Sequence, residues 1–273
     1  MLTLTTTFQA LLREAQFTKE MLGSGATQIR NANYATKGIY FQAFTSLSTG
    51  LERIGKLCLM VDHYIETGGD FPSLKHLKHE IGHKLEALYK KSQAVVAKRS
   101  ITLRFTKDLS NPIHQAILRL LHSFAEGDRY SNIDLLVRNT KSDDPISRWF
   151  NEVDQPLFDE RVSARKKREI ARNASLGAQL LGPHASVLHT SETETEITDF
   201  EEGSLRTGIY EAVAPHRQLC VLQVIRYWVE LLGQLEILAQ RLPGEDIPSF
   251  GEVFALFYND DSYMKTRKTW EKP

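Results

Sequence analysis

The sequence predicts an all-α fold, a bundle of six to seven helices with a small β-hairpin or acidic loop inserted near residues 185–203. Three observations carry this. Apolar residues recur at alternating three- and four-residue steps along most of the chain, which is the spacing of one helical face. Glycine and proline gather at a few separated points, where they end one helix and open the next. Alternation with a period of two, the mark of a strand, is confined to Val187–Phe200, where Thr193, Glu194, Thr195 and Glu196 alternate.

Taken in order, residues 2–22 predict a short helix with Phe8, Leu11, Leu12, Ala15 and Met21 to one side, ended by Gly23-Ser24-Gly25. Asn33 is placed to cap a long second helix reaching about Glu66, in which Tyr40, Phe44, Leu47, Leu51, Ile54, Cys58, Val61 and Ile65 form the buried stripe. Glu52 and Lys56 sit four residues apart on another face, as a surface ion pair. Gly68-Gly69-Asp70 makes the turn, and Pro72 suits the first turn of a helix running to about Lys98. On its wheel, at about 100° per residue, Leu74, Leu77, Ile81, Leu85, Leu88 and Val95 face the core while His76, His79 and His83 face away.

Asn111-Pro112 opens the next helix, with Ile113, Ile117, Leu120, Leu121 and Phe124 inward and Gly127 at its end. Asp143-Asp144-Pro145 starts a helix carrying Trp149, Phe150 and Val153, which restarts at Pro156 and continues into a basic stretch with Arg165, Lys166, Lys167, Arg168 and Arg172. Six acids between Glu192 and Glu202 mark the hairpin or loop. A last long helix is expected from about Pro215 to Arg241, then a short helix over 248–258, with the tail after Asn259 on the surface. The organisation expected is an N-terminal helical extension at 1–32, a bundle at 33–181, the acidic insertion at 182–210, and C-terminal helices at 211–273 packing on the same bundle.

Composition bounds the function. Lysine and arginine number 34, as do aspartate and glutamate, so no global charge draws the 273-residue chain to nucleic acid or to an anionic membrane. Any such site is a local patch. Cys58 and Cys220 lie within apolar helical patterns, which suits reduced, packed thiols and a cytoplasmic location better than a disulfide. Met1–Ala10 lacks a charged segment followed by an apolar core, and no run reaches about 18 apolar residues. Leu219–Leu232, broken by Gln223, Arg226 and Glu230, reads as a central buried helix, so neither secretion nor membrane insertion is expected.

One stretch admits two chemistries. His79-Glu80-Ile81-Gly82-His83 spells H-E-x-x-H, which on a helix sets two imidazoles around a zinc ion with a carboxylate beside them. Against a zinc hydrolase built on His79, Glu80 and His83 stand the charged Lys84, the absence of a marked third ligand, and helices upstream where that fold needs strands. Without that zinc no cofactor is expected.

Residues 33 to about 136 carry a different pattern. It consists of Phe41-Gln42-Ala43-Phe44, then Leu51-Glu52-Arg53-Ile54-Gly55-Lys56-Leu57, a glycine turn, and Ile81-Gly82-His83-Lys84-Leu85-Glu86-Ala87-Leu88-Tyr89. This resembles the HEPN family of helical domains, whose members often carry a Gly-His-x-Leu-x-x-Leu segment. The resemblance implies a dimerising helical bundle that cleaves or binds RNA or nucleotides without metal, in phage-defence, toxin–antitoxin or stress systems. A partner protein encoded nearby goes with it, as does a non-catalytic role for some members. The family's arginine, four to six residues, then histidine is absent, since Arg119 and His122 are too close and Arg104 and His114 too far apart. The substitute site is Arg129 to hold phosphate, Tyr130 to stack on a base, and Asn132 and Asp134 beside them, with His83 as general acid or base, or else this cluster is local turn and capping chemistry with a salt bridge. Arg165, Lys166 and Arg168 are further candidates for phosphate contact, or else a solvated face interleaved with Glu160 and Glu169. A helical adaptor or homodimer without chemistry is the remaining reading.

Overall fold

A computed structural model describes residues 4–137, 144–244 and 246–271. Three long helices make the frame: α1 (Thr6–Asn31), α2 (Gly38–Thr67) and α10 (Phe200–Ala239). Around them lie α3 (Leu74–His76), α4 (Leu85–Lys98), α5 (Pro112–Glu126), α6 (Ser131–Leu136), α7 (Pro145–Trp149), α8 (Gln155–Arg161) and α9 (Ala164–Leu181). The C-terminal α11 (Phe250–Val253) and α12 (Asp261–Thr266) are short. Strands β1 (His189–Thr190) and β2 (Glu196–Ile197) pair antiparallel, with His189 opposite Ile197. The fold is therefore all-α with one small hairpin. No described helix is long and apolar enough to cross a membrane.

The start signals act as read. Asn33 accepts from the amides of Ala35 and Thr36, in a 3₁₀ turn that leads into α2. Asn111 caps α5 with Pro112 at its first position, and Asp144 caps α7 through the Ser147 amide. Asp143, read together with Asp144, lies outside the described residues. The α2 stripe from Tyr40 to Val61 is buried, and α10 is apolar nearly all round because it runs through the middle. Cys58 is buried and Cys220 half-buried, both as free thiols, and burial pushes the Cys220 thiol up to about 12.

Four expectations are corrected. Gly23-Ser24-Gly25 does not end α1, which continues to Asn31. These glycines allow close approach instead: a Cβ at Gly25 would stand 2.6 Å from Leu47, and one at Gly50 would stand 2.8 Å from Leu22. The helix from Pro72 to Lys98 is broken, with a π turn at Leu77–Ile81 and then Gly82 at φ +76°, so Leu74 is exposed rather than in the core stripe. The last long helix starts at Phe200 and contains Pro215 in its interior, where proline removes one backbone hydrogen bond from a helix supported on all sides. The tail after Asn259 is packed: Met264 and Trp270 are buried, and the Trp270 amide donates to Thr27 Oγ1 at 2.8 Å.

A buried ion pair joins the long helices. Arg217 Nη1, on α10, donates to Asp154 Oδ2 at 2.7 Å and to Tyr40 OH at 3.1 Å. Its Nη2 donates to the carbonyl of Ala32, which caps α1. Trp149 Nε1 donates to the other oxygen of Asp154 at 3.1 Å. Removing one member strands the other charge in the core. Arg217→Ala is expected to cost about 3–5 kcal/mol, measured as a lower free energy of unfolding in urea.

Candidate acid–base site at the α2–α5 face

The break at Gly82 decides where the histidines go. Backbone at φ +76° and ψ −162° is open to glycine and essentially closed to other residues, so the chain turns out of the π turn there and re-enters a helix at Leu85. His79 and His83 consequently do not share one helix face, and the spacing argument for two zinc ligands on a single turn loses its basis. Among the described residues no group of three or more His, Cys, Asp or Glu side chains could hold a metal ion. His76 turns instead to His63 of α2, ring centroids 4.4 Å apart.

His83 is exposed beside α5, in a shallow depression of about 460 Å³ that it lines together with Glu52, His122, Ala125 and Glu126. Two imidazoles and two carboxylates thus meet where the Gly82 bend crosses α2 and α5. Each carboxylate has a cationic neighbour. Glu52 pairs with Lys56 at 2.6 Å, as read from the sequence, and Glu126 pairs with Lys84 at 3.3 Å. Glu126 also faces His122 Nε2 at 3.5 Å, one helical turn back on α5. That contact orients the His122 ring.

No protein-family model matches this chain, and neither does any curated protein or solved structure. The chemistry of the site rests on its own geometry.

Of the sequence candidates, Arg129 and Tyr130 lie in a 3₁₀ turn directly after α5, both exposed, with the Arg129 guanidinium 5.0 Å from the centre of the Tyr130 ring. Asn132 is exposed on α6. Arg129 is not among the residues lining the His83 depression; it stands beyond Glu126, where the chain leaves α5. Arg165, Lys166 and Arg168 project from α9, which packs on α10, and none of them lines the depression either. Lys166 is engaged by Glu169 at 2.9 Å. The partner that sequence reasoning passed over is His122. Its spacing from Arg119 fits no motif, whereas the signal that marks it is the i,i+4 pair with Glu126 on the polar side of α5. Glu80, read with the zinc motif, instead offers its backbone carbonyl to Lys91, with the Ile81 carbonyl 3.0 Å from the same ammonium.

Gly82→Ala places a Cβ at a backbone conformation that costs about 1–3 kcal/mol. A melting temperature lowered accordingly, with helical content retained, is the expected result; an unchanged melting temperature would mean that the bend does not hold His83 in this position.

Proposed function

We propose that this chain cleaves single-stranded RNA without a metal ion, with His83 and His122 as the acid–base pair. The observation that carries the reading is that two imidazoles from separate elements, the exposed His83 and the largely buried His122, line one depression, with Glu126 behind His122. One imidazole takes the proton of a ribose 2′-hydroxyl as its oxygen attacks the adjacent phosphorus. The other gives a proton to the departing 5′-oxygen, leaving a 2′,3′-cyclic phosphate and a free 5′-hydroxyl. Lys84, next to His83 and paired with Glu126, and Arg129, in the turn after α5, are the cations offered to phosphate, and the exposed ring of Tyr130 offers a face for an unpaired base. The HEPN-like pattern of residues 33–136 supports the same substrate class, and with it a defence or stress setting and a homodimer.

The test is a cleavage assay on unstructured RNA with EDTA present. Wild-type protein is expected to release fragments ending in cyclic phosphate. His83→Ala and His122→Ala should each slow cleavage about 100-fold or more while leaving the circular dichroism unchanged, and Arg129→Ala should weaken RNA binding. Intact RNA at high protein concentration would sink the nuclease reading and leave a helical binding module. Cleavage equally fast in both histidine variants would place the chemistry elsewhere.

A further inference from the structure

A second site lies away from the histidines, between the π turn at Phe150–Asp154, the hairpin and the N-terminal half of α10. There a cavity of about 260 Å³ is walled by Phe150, Leu205, Ile209 and Val213 and reached by the side chains of Glu192 and Arg206. At roughly 30 Å³ per water, it has room for a molecule of about nine non-hydrogen atoms. Asp154 and Tyr210 also contribute to its lining, and Gln155 and Glu202 complete the polar part.

Its charges do not balance. Asp154 is neutralised by Arg217, as described above. Glu192, in the hairpin turn, has a side chain only 4% exposed, and its ion-pair partner is Arg206 at 3.4 Å. The same guanidinium is shared with Glu202, whose Oε1 accepts from Arg206 Nε at 3.2 Å. Two carboxylates on one guanidinium leave one negative charge against a largely apolar wall. A buried carboxylate in that position is costly unless a cation completes it. Burial accordingly pushes the Glu192 carboxyl above its usual range, a cost that a bound cation offsets.

We propose that this cavity binds a small organic amine, its cationic head at Glu192, where Glu202 supplies the second carboxylate, and its hydrocarbon or aromatic body against Phe150, Leu205 and Ile209. The wall chemistry separates this from an inorganic cation, which would want several oxygen ligands and gains nothing from the apolar surface. An anion is disfavoured because Arg206 is already engaged by two carboxylates. The site shares no lining residue with the His83 depression, so it stands or falls independently of RNA cleavage.

The probes are isopentylamine, benzylamine and tyramine, with tyrosol as the uncharged counterpart of tyramine, titrated by calorimetry and thermal shift against the full chain. At least one amine is expected to bind saturably and raise the melting temperature, while tyrosol does not. Glu192→Gln keeps the shape and removes the charge, and should weaken amine binding about tenfold, as expected for losing a charge-assisted contact. Ile209→Phe fills the cavity from its apolar side and should abolish binding, which guards against a folding defect in the first variant. Failure of all three amines to bind the folded protein overturns the proposal, as does equal binding by wild type and both variants. Equal affinity for tyramine and tyrosol would also overturn it, showing an apolar pocket with no use for the charge.

Discussion

The Arg217–Asp154 pair is the constraint to which the rest of the architecture answers. A guanidinium and a carboxylate taken out of water gain little by themselves, because their attraction barely offsets the loss of hydration. Here each gains neutral partners from other elements, Ala32 at the end of α1, Tyr40 at the start of α2, and Trp149 ahead of the π turn, although Arg217 Nε is left without one. Apolar stripes such as that of α2 tolerate sliding by a turn, since one leucine fits much as another does. The pair does not tolerate it. A shift of α10 by one turn, about 5.4 Å, would leave a buried charge without its partner. The interaction therefore sets the register of α10 against α1 and α2 more than it adds to net stability.

Both candidate sites follow π turns, and for the same physical reason. A π turn inserts one extra residue into a helical turn, which rotates the following side chains off the face that periodicity assigns them. At Phe150–Asp154 this brings Asp154 inward to Arg217, while Val153 is also buried beside it. At Leu77–Ile81 it ends the helical run early, and Gly82 then carries His83 to α5. In each place a polar residue is delivered to a position that a regular amphipathic helix would not give it.

Much of the fold was legible because it is local. The stripe on α2 and the Asn111-Pro112 and Asp144-Pro145 starts depend on residues within a few positions of one another; the hairpin also forms, but Thr193, Glu194 and Thr195, whose alternation points to a strand, make its turn. What misled was chemistry that has two uses. Gly23 and Gly25 have the composition of a turn, yet a Cβ at Gly23 would stand 2.2 Å from the Trp270 carbonyl oxygen, at the far end of the chain. Pro215 resembles a helix start because proline usually is one; here α10 is held by neighbours along both halves, so one lost hydrogen bond does not break it. The polar tail after Asn259 looked unattached because its anchor, Trp270 on Thr27, joins residues that no local pattern relates. The site divides in the same way. His83 stood out beside its glycine, but its companion His122 comes from α5, and the π turns that aim both sites leave no mark in the hydrophobic period.

An aromatic cluster lies between the two regions and determines how lesions in them are to be interpreted. Phe44 contacts Phe124 at 5.4 Å and Trp149 at 5.1 Å between ring centres, and Phe41 contacts Phe124 at 5.4 Å. Phe124 immediately precedes Ala125 and Glu126 of the histidine depression, while Trp149 holds Asp154 at the amine cavity. Close-packed aromatic side chains transmit strain because they have no free volume in which to absorb it. Asp154, Trp149, Phe44 and Phe124 thus form one contiguous path of contacts from Arg217 to the helical turn that carries His122. A fall in RNA cleavage after a change at Arg217 would report that chain of contacts. Only variants whose stability is unchanged, such as those at the exposed His83, speak to the chemistry itself.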